Sequence, residues 1–345
     1  MKKVLVAIML VGLTGIVEAV DLYVPSQYAT IQAGINAANT GDTVWVADGI
    51  YTGASNKNLT WSSPKHITVR SVNGPANCII DCGGSGRGFY FNNTGQNSSD
   101  LIQGFTIRKG YAAGSHGGGI YCNSSSPSIL NCNITGNKAN DGGGIVCWYS
   151  SPAITNCNIT GNTAIWYGGG IDCYSSSPSI TNCNITGNTA NWGGGICCSN
   201  FSPSILNNII TGNTNYGIYR YSGGSPSIDY NDVWNNTPGN YAGCSAGAND
   251  ISLDPQFIGG GNYHLQSISP CIDAGSNTAF PATITTDLDG NPRILGTVTD
   301  MGPYEWWGVS PLSQQKGRVG DMATIMGVVH STQTLVRVDF GTYQT

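Results

Sequence analysis

The chain has 345 residues, of which 10% are charged, and its formal net charge is −5. A sparse and net-negative charge argues against a nucleic-acid partner, because nucleic-acid binding uses clustered Lys and Arg side chains. The 49 glycines disfavour long helices and favour a chain built from short elements and turns.

The first 19 residues have the pattern of a secretory signal peptide. Lys2 and Lys3 precede the apolar run 4–13, and Val17, Glu18 and Ala19 resemble a small-residue cleavage site. The run is too short to span a bilayer, so the mature protein is predicted to have no transmembrane segment. We therefore expect a secreted protein that is extracellular or at the cell surface.

A short helix is predicted over Tyr28–Asn39, where Ile31 and Ile35 are spaced to share one helix face. It would cap the open end of the structure that follows and cover its unpaired strand edges. Beyond it, the apolar stretches that begin at residues 42, 66, 78, 88 and 101 are predicted to be strands of irregular coils.

Residues 117–213 contain four near-copies of one unit, the first reading GGGIYCNSSSPSILNCNITGN. Pro127, Pro152, Pro178 and Pro203 recur at intervals of 25, 26 and 25 residues. Each unit is predicted to form three short strands, 127–130, 132–135 and 144–147 in the first copies, with turns between them. A chain that returns to the same place at this interval predicts an all-β fold, a single-stranded right-handed parallel β-helix.

Stacked coils align equivalent residues into ladders. The sequence predicts two isoleucine ladders, through Ile129 and Ile134, and two asparagine ladders, through Asn131 and Asn137, whose amides pair between coils. The cysteine ladders through Cys122 and Cys132 are predicted to be buried thiols, because stacked parallel side chains have poor disulfide geometry. Disulfides are instead predicted between Cys78 and Cys82 and between Cys244 and Cys271.

After the repeats, the rhythm continues with a less regular spacing. Residues 20–307 are assigned to one β-helix of about eleven coils, with a closing module at 253–305. Residues 308–345 differ in composition, since glycine and asparagine become rare, and they form a tail of unassigned structure.

Aromatic residues cluster in the predicted outer turns of the repeats. Exposed aromatic rings on a rigid stack suit the apolar faces of sugar rings, although they also serve to cover turns. The predicted ligand-binding residues are Trp148, Trp166, Tyr174, Trp192 and Tyr221.

Catalytic carboxylates are harder to place. Asp141 lies 14 residues after Pro127 and Asp172 lies 20 after Pro152, so they are expected on different faces of the helix. The repeats would then lack the carboxylate pair that glycoside hydrolysis uses. Outside the repeats, Asp229, Asp232 and Arg220 are the candidates for an acid–base site.

No cofactor is required by these residues, but calcium is one candidate. Asp287, Asp289 and Asn291 offer oxygen ligands in the short segment DLDGNPR. The alternative is a structural turn in which the aspartates cap backbone N–H groups.

Several motifs carry family resemblances. The segment VPSQYATIQAGINAANTGDTVWVADGIYTG (24–53) resembles the capping helix and first coil of bacterial secreted β-helix proteins of the pectin-lyase-like superfamily. Residues 253–276, 287–293 and 300–305 resemble the closing module called choice-of-anchor Q, and the paired GGGI and ITGN motifs resemble repeats of chlamydial polymorphic membrane proteins. These resemblances imply the β-helix fold and a surface location; the superfamily includes lyases, hydrolases, esterases and adhesins.

The enzyme motifs of that superfamily are not matched. The chain contains no RxPxxR, and Ser115-His116-Gly117 is only a fragment of the GHG motif of polygalacturonases. The sequence therefore predicts binding of a polysaccharide or a cell-surface glycan without clear catalytic machinery. The alternatives are a polysaccharide lyase or glycoside hydrolase with its site outside the regular repeats, and a structural spacer or adhesin.

Overall fold

The computed structural model describes residues 18–307. Most of the predicted signal peptide and the tail 308–345 lie outside the described residues. A single α-helix, Ile31–Ala37, lies within the predicted helical segment and begins after Thr30, whose hydroxyl accepts the N–H of Ala33 (3.2 Å). It buries Ile31 and Ile35 against the first coil, as predicted for a cap.

The strands form three long parallel sheets, which we call A, B and C. Sheet A contains Asp21–Val24, Thr43–Val46, Thr68–Ser71, Leu101–Gln103, Ser128–Leu130, Ala153–Thr155, Ser179–Thr181, Ser204–Leu206 and Ser227–Asp229. Sheet B contains Gly49–Tyr51, Cys78–Asp81, Thr106–Arg108, Asn133–Thr135, Asn158–Thr160, Asn184–Thr186, Ile209–Thr211 and Asp232–Trp234. Sheet C contains Phe89–Asn92, Ile120–Asn123, Ile145–Trp148, Ile171–Tyr174, Ile196–Asn200, Ile218–Gly223 and Tyr241–Ala242.

Smaller elements complete the described chain. A fourth, short sheet that the repeat pattern did not predict pairs Tyr111–Ala112, Lys138–Ala139 and Thr163–Ala164. A 3-10 turn spans Ala54–Asn56, and an antiparallel hairpin joins Phe257–Gly259 to Asn262–Leu265. Among residues 18–307, no helix combines the length and apolar character that crossing a bilayer requires.

Sheets A, B and C contain nine, eight and seven strands, so most coils contribute one strand to each long sheet, and equivalent residues pair from coil to coil. Ile129 pairs with Ile154, and Ile134 pairs with Ile159, as the ladder prediction requires. All four side chains are fully buried, so the core is a column of stacked apolar side chains. The prediction of a right-handed parallel β-helix is confirmed.

The stack has nine coils, counted along sheet A, so the prediction of about eleven coils by spacing was wrong. The reason is that residues from 253 onward do not continue the stack. They run back along its outside, where Asn156 Nδ2 donates to Thr286 O (2.9 Å) and Asn158 Nδ2 donates to the Tyr304 hydroxyl (2.7 Å). Leu265, Cys271 and Met301 form a separate small core against Ile209.

One asparagine ladder forms as predicted. The amide of Asn137 donates to Asn162 Oδ1 (3.1 Å). The same amide-to-amide bond then joins Asn162 to Asn188, Asn188 to Asn213 and Asn213 to Asn236 at 2.9–3.0 Å. Each amide also donates to a backbone carbonyl of the preceding coil, as Asn162 does to Ile134 O (2.9 Å). The ladder therefore satisfies buried polar groups at this corner.

The prediction was wrong for the corner at Asn131, Asn156, Asn182 and Asn207. These residues have φ values between 51° and 58°, the left-handed conformation that asparagine tolerates. Their amides do not pair with one another; those of Asn156 and Asn207 bond instead to the C-terminal segment. Their shared role in the coil is thus the turn geometry between sheets A and B.

All twelve cysteines are free, and eleven of them are buried. The predicted buried thiol ladders are confirmed, but the two predicted disulfides were wrong. Cys78 and Cys82 lie at the two ends of an extended segment, about 13 Å apart at strand rise, which is beyond disulfide reach. Cys271 Sγ donates instead to Asp232 Oδ2 (3.3 Å), while the Cys244 thiol faces Ile218 O (3.9 Å).

Candidate functional site

The outer surface of sheet C, which we call the C face, brings together the aromatic residues and an unusual group of carboxyls. Because strand side chains alternate, Ile145 and Cys147 point into the core while Val146 and Trp148 point outward. Register aligns Tyr121, Val146, Asp172, Cys197 and Tyr219 in one outward row.

Two aromatic clusters lie on this face. In the first, Trp148 lies between Tyr121 (centroid distance 6.3 Å) and Tyr174 (5.9 Å), and Tyr90 stacks on Tyr121 (5.2 Å). The Arg87 guanidinium lies over the rings of Tyr90 and Tyr121, at 4.8 and 5.3 Å from their centroids.

In the second cluster, Trp192 stacks on both Trp166 (5.9 Å) and Tyr167 (5.2 Å). Tyr167 in turn meets the edge of Tyr221 at 5.0 Å. A hydrogen bond to Tyr221, together with burial, raises the pKa of the Tyr167 hydroxyl. All five predicted ligand-binding residues therefore belong to these two clusters, and Trp166, Tyr174 and Tyr221 are exposed.

The residue before each glycine triplet occupies an equivalent position beside the C face. These residues are His116, Asp141, Tyr167 and Trp192, and their coils are joined by bonds such as Gly142 N to Tyr167 O (2.9 Å). A glycine is required at Gly168, because φ is +60° and a Cβ there would lie 2.6 Å from Asp172 Cα. The triplet thus folds tightly over the outward row and brings the preceding residue to it.

Asp141 connects the two aromatic clusters. Its Oδ2 lies 2.6 Å from Nδ1 of His116, whose ring packs on Trp148 at 4.2 Å. Its Oδ1 accepts the backbone N–H of Tyr167 (3.2 Å). The His116 contact does not have hydrogen-bond geometry, so the backbone N–H of Tyr167 is the group that orients Asp141.

Asp172 lies in the outward row between Val146 and Cys197 and is only 4% exposed. Burial raises the pKa of its carboxyl from 3.8 to about 8. The charge of Asp141 raises this pKa further, and the indole of Trp148 lowers it in part. At neutral pH this carboxyl retains its proton. The other titratable groups around it are the thiols of Cys147, Cys173, Cys197 and Cys198.

Asp172 differs from the other buried aspartates. Asp42, Asp100 and Asp300 each accept at least two backbone N–H bonds, so they cap turns of the fold. Within the described chain, no backbone N–H donates to Asp172. Its burial therefore has no evident structural purpose, because an uncompensated buried polar group costs free energy.

The expectation that Asp141 and Asp172 lie on different faces was wrong, and with it the expectation that the repeats lack a carboxylate pair. Counting from the prolines ignored the tight fold of the glycine triplet over the outward row. Asp141 directly precedes one triplet, and Asp172 is the second residue after the next. Counting from the triplets would have placed both beside the C face.

The three predicted catalytic residues do not meet. Asp229 ends a strand of sheet A and bonds Asn249 N (2.7 Å), Asp232 begins a strand of sheet B, and Arg220 lies in sheet C. Asp232 accepts Leu253 N (3.2 Å) besides Cys271, and burial raises its pKa to about 6. Arg220 donates to the carbonyl oxygens of Gly243 and Gly224. Each of the three bonds backbone groups of loops that lie outside the strands.

The predicted calcium ligands form a turn. Asp287 is fully buried and accepts the backbone N–H groups of Asp289, Asn291 and Glu305 at 2.8–3.1 Å. Asp289 Oδ2 is directed at His264 Nε2 (2.5 Å). These carboxylates do not converge on one point and do not fit a calcium ion, which agrees with the structural-turn alternative. Among residues 18–307, no group of three His, Cys, Asp or Glu side chains is arranged to hold a metal.

A cleft of about 440 Å³ lies on the opposite part of the molecule, between the turn 72–76 and the C-terminal segment. It is lined mainly by polar groups, including Arg70, Gln103, Asn131 and Tyr304. Neither aromatic cluster of the C face contributes to it.

One comparison with known proteins, a family model, agrees with this architecture. Residues 87–254 match the family model described as right handed beta helix region. A crystal structure of the pectate lyase Pel9A is similar at a TM-score of 0.46 and 13% identity, over 84% of this chain and 97% of that one. No curated protein matches the chain significantly. The finer resemblances, to choice-of-anchor Q and to chlamydial membrane proteins, stay predictions.

Proposed function

We propose that this protein is exported to the cell surface and that it binds a polysaccharide along the C face. The observation that carries the proposal is that two aromatic clusters, contributed by successive coils, lie on one face of a rigid stack. A glycan chain lying along the stack would contact rings from both clusters.

The rings suit sugars because they combine a large apolar face with a polar group at the edge. Trp166 is 46% exposed and Tyr221 is 51% exposed, although both belong to ring-on-ring contacts that keep their orientation. Exposed rings held in place lose little conformational freedom when a ligand binds. A contiguous exposed aromatic patch of this kind is typical of a binding surface.

The proposal is tested by affinity electrophoresis of the mature protein through gels that contain neutral glycans (glucans, xylan, mannan) or uronate polymers. Wild-type protein should be retarded by at least one glycan. The double variant Trp166→Ala, Trp192→Ala should lose most of that retardation, because it removes one stacked pair of the second cluster.

The matched control is the double variant Tyr23→Ala, Tyr111→Ala, which removes two exposed aromatic side chains that lie outside sheet C. It should migrate like wild type in every gel. Retardation that is unchanged in the tryptophan variant, or lost equally in the tyrosine control, would contradict binding at the C face. Circular dichroism melting of both variants verifies that each is folded.

A further inference from the structure

The cleft between the turn 72–76 and the C-terminal segment is a second candidate site, separate from the C face. Its volume of about 440 Å³ lies within the range of about 300–1,000 Å³ that is usual for small-molecule sites. Its floor is the outward side of sheet A, and residues 286–290 form the wall opposite the turn. The lining is rich in amides, from Gln103, Asn131 and Asn133, and lacks the exposed rings of the C face.

Arg70 brings a positive charge to the floor of this cleft. In register it lies between Trp45 and Gln103, and its guanidinium stacks 4.4 Å from the centroid of the Trp45 ring, which fixes its plane. The ion pairs of the described residues do not include Arg70, and its Nε is buried without a hydrogen-bond partner there. The Asp48 carboxylate on this side is held instead by Asn73 (3.1 Å). A buried, unpaired guanidinium N–H costs free energy unless a ligand accepts it.

Asn131 adds an unpaired acceptor to the same cleft. In the next coil the equivalent residue is engaged by the C-terminal segment, because Asn156 Nδ2 donates to Thr286 O (2.9 Å). At Asn131 the cleft lies in that place, and Oδ1 is buried with no partner among the described residues. The cleft therefore holds an oxygen that can accept an N–H or O–H of a ligand, as well as a cation.

The C-terminal segment contributes a carboxylate. Asp289 lines the cleft, and its side chain is 43% exposed. Its Oδ2 is directed at His264 Nε2 (2.5 Å), which leaves Oδ1 as the oxygen available to a ligand. The cleft thus has a positive group on the stack and a negative group on the segment. A ligand with one charge of each sign is complementary to both, whereas a simple anion would be repelled by Asp289.

We propose that this cleft binds a small zwitterion, either a free amino acid or a short peptide with the same two end groups. The ligand carboxylate accepts hydrogen bonds from Arg70, including the N–H of Nε that is otherwise unpaired. The ligand ammonium donates to Asp289 and to Oδ1 of Asn131. In a peptide, the amide of Gln103 offers both a donor and an acceptor to the peptide group. This inference is independent of polysaccharide binding at the C face.

Isothermal titration calorimetry of the mature protein tests the proposal with pools of free amino acids and pools of dipeptides. At least one zwitterion should release or absorb heat, and the comparison of the two kinds of pool identifies the length of the ligand. The N-acetylated form and the carboxamide form of that compound should each bind roughly tenfold or more weakly, because each lacks one of the two charges. Glucuronate, which has a carboxylate but no ammonium, should bind as weakly.

Variants locate the ligand in the cleft. Arg70→Met keeps an apolar stem against Trp45 but removes the charge, so it should abolish measurable binding. Asp289→Asn should weaken binding roughly tenfold or more. The matched control is Arg108→Met, which removes an outward arginine of sheet B that is already paired with Asp81 (2.9 Å) outside the cleft. It should bind the zwitterion like wild type.

The double variant Trp166→Ala, Trp192→Ala separates this proposal from the proposed function. It should lose glycan retardation yet bind the zwitterion like wild type, because neither tryptophan lines the cleft. Melting curves verify that each variant is folded. If Arg70→Met does not fold, Asp289→Asn and the blocked ligands still decide the outcome, since the first alters an exposed side chain and the second requires no variant.

Four results would overturn the proposal. These are no heat with any pool, equal binding of the blocked and unblocked ligands, full binding by Arg70→Met, and loss of zwitterion binding in the tryptophan variant. Preferential binding of glucuronate over every zwitterion would also overturn it, in favour of a site for acidic sugars.

Discussion

Replacing Asp172 by valine is expected to stabilise this protein, which is unusual for a change at a buried position. The side chain is 4% exposed, and the neighbouring coil already accommodates Val146 at the equivalent place. The substitution removes a polar group that the surroundings do not bond through the backbone, and it adds no volume that the row has not accepted before.

The magnitude follows from the pKa of Asp172, which burial raises from 3.8 to about 8. Well below pH 4 the carboxyl is protonated in both the folded and the unfolded chain, so it imposes no penalty. As pH rises towards 8, only the unfolded chain releases the proton, and folding stability falls by about 1.4 kcal/mol per pH unit. Over about four units the loss amounts to about 5 kcal/mol, and it levels off above pH 8.

The assay is urea denaturation of wild type and Asp172→Val at intervals from pH 4 to pH 9. The difference in unfolding free energy should be small at pH 4 and should grow to several kcal/mol in favour of the variant at pH 8. Most other titrations cancel in the difference, because His116, Tyr167 and the neighbouring thiols are present in both proteins. Asp100→Val is the opposite control: Asp100 accepts bonds from Trp61, Ile67 and Asn97, so its loss should destabilise the protein.

A pH-independent difference would refute the reasoning, because it would mean that Asp172 titrates normally in the folded chain. A valine variant that is less stable than wild type at pH 8 would also refute it, since it would reveal a structural role for the carboxyl.

Three further outcomes are expected. Asn162→Ala should lower the unfolding free energy by about 3 kcal/mol in urea titration, because it removes the acceptor of the Asn137 backbone N–H and side-chain amide and the amide that donates to Ile134 O. Asn131→Gly, at a corner without amide pairing, should cost less than about 1 kcal/mol. Iodoacetamide labelling followed by mass spectrometry should find twelve reactive thiols in the unreduced, denatured protein and far fewer in the native one; five or six disulfides would contradict the thiol ladders. Neither calcium nor a chelator should shift the melting temperature, because Asp287 is occupied by backbone N–H groups, and a shift of several degrees would restore the calcium site.

Much of the fold could be predicted because the repeat carries two signals at once. The interval of about 25 residues requires coils, and the alternation within Ile145–Trp148 shows which side chains enter the core. Register then follows without further information, since equivalent residues must pair. This is why the ladder of Ile129 and the amide pairing of Asn137 were both predicted.

The chain after residue 252 could not be placed in the same way. It is as rich in turn residues as the coils, but its apolar residues have no fixed interval, so periodicity does not distinguish a coil from a covering segment. The bonds that hold it outside the stack join residues far apart in sequence, such as Asn158 to Tyr304. The same segment also contacts the asparagine corner between sheets A and B, where Asn156 and Asn207 bond to it rather than to one another.

The candidate site also contains residues that the sequence predicted and residues that it did not. Its aromatic residues could be predicted from composition, since tryptophan and tyrosine recur beside the glycine triplets. Its carboxyls could not, because their proximity depends on the left-handed turn at Gly168, which folds over the strand that carries Asp172. A count of residues along the coil treats that turn as extended chain and separates groups that the structure brings together.

Ladders offer a general argument about where function lies in this molecule. The ladders that stabilise the coils repeat one residue type, isoleucine, cysteine or asparagine, because equivalent positions in successive coils have the same surroundings. The outward row instead changes from Tyr121 to Val146, Asp172, Cys197 and Tyr219, although the backbone at these positions is in register. Since identical backbone positions accept such different side chains, the fold does not dictate them. The residue in that row with the greatest cost of burial, Asp172, is therefore the one whose presence most requires a reason other than stability.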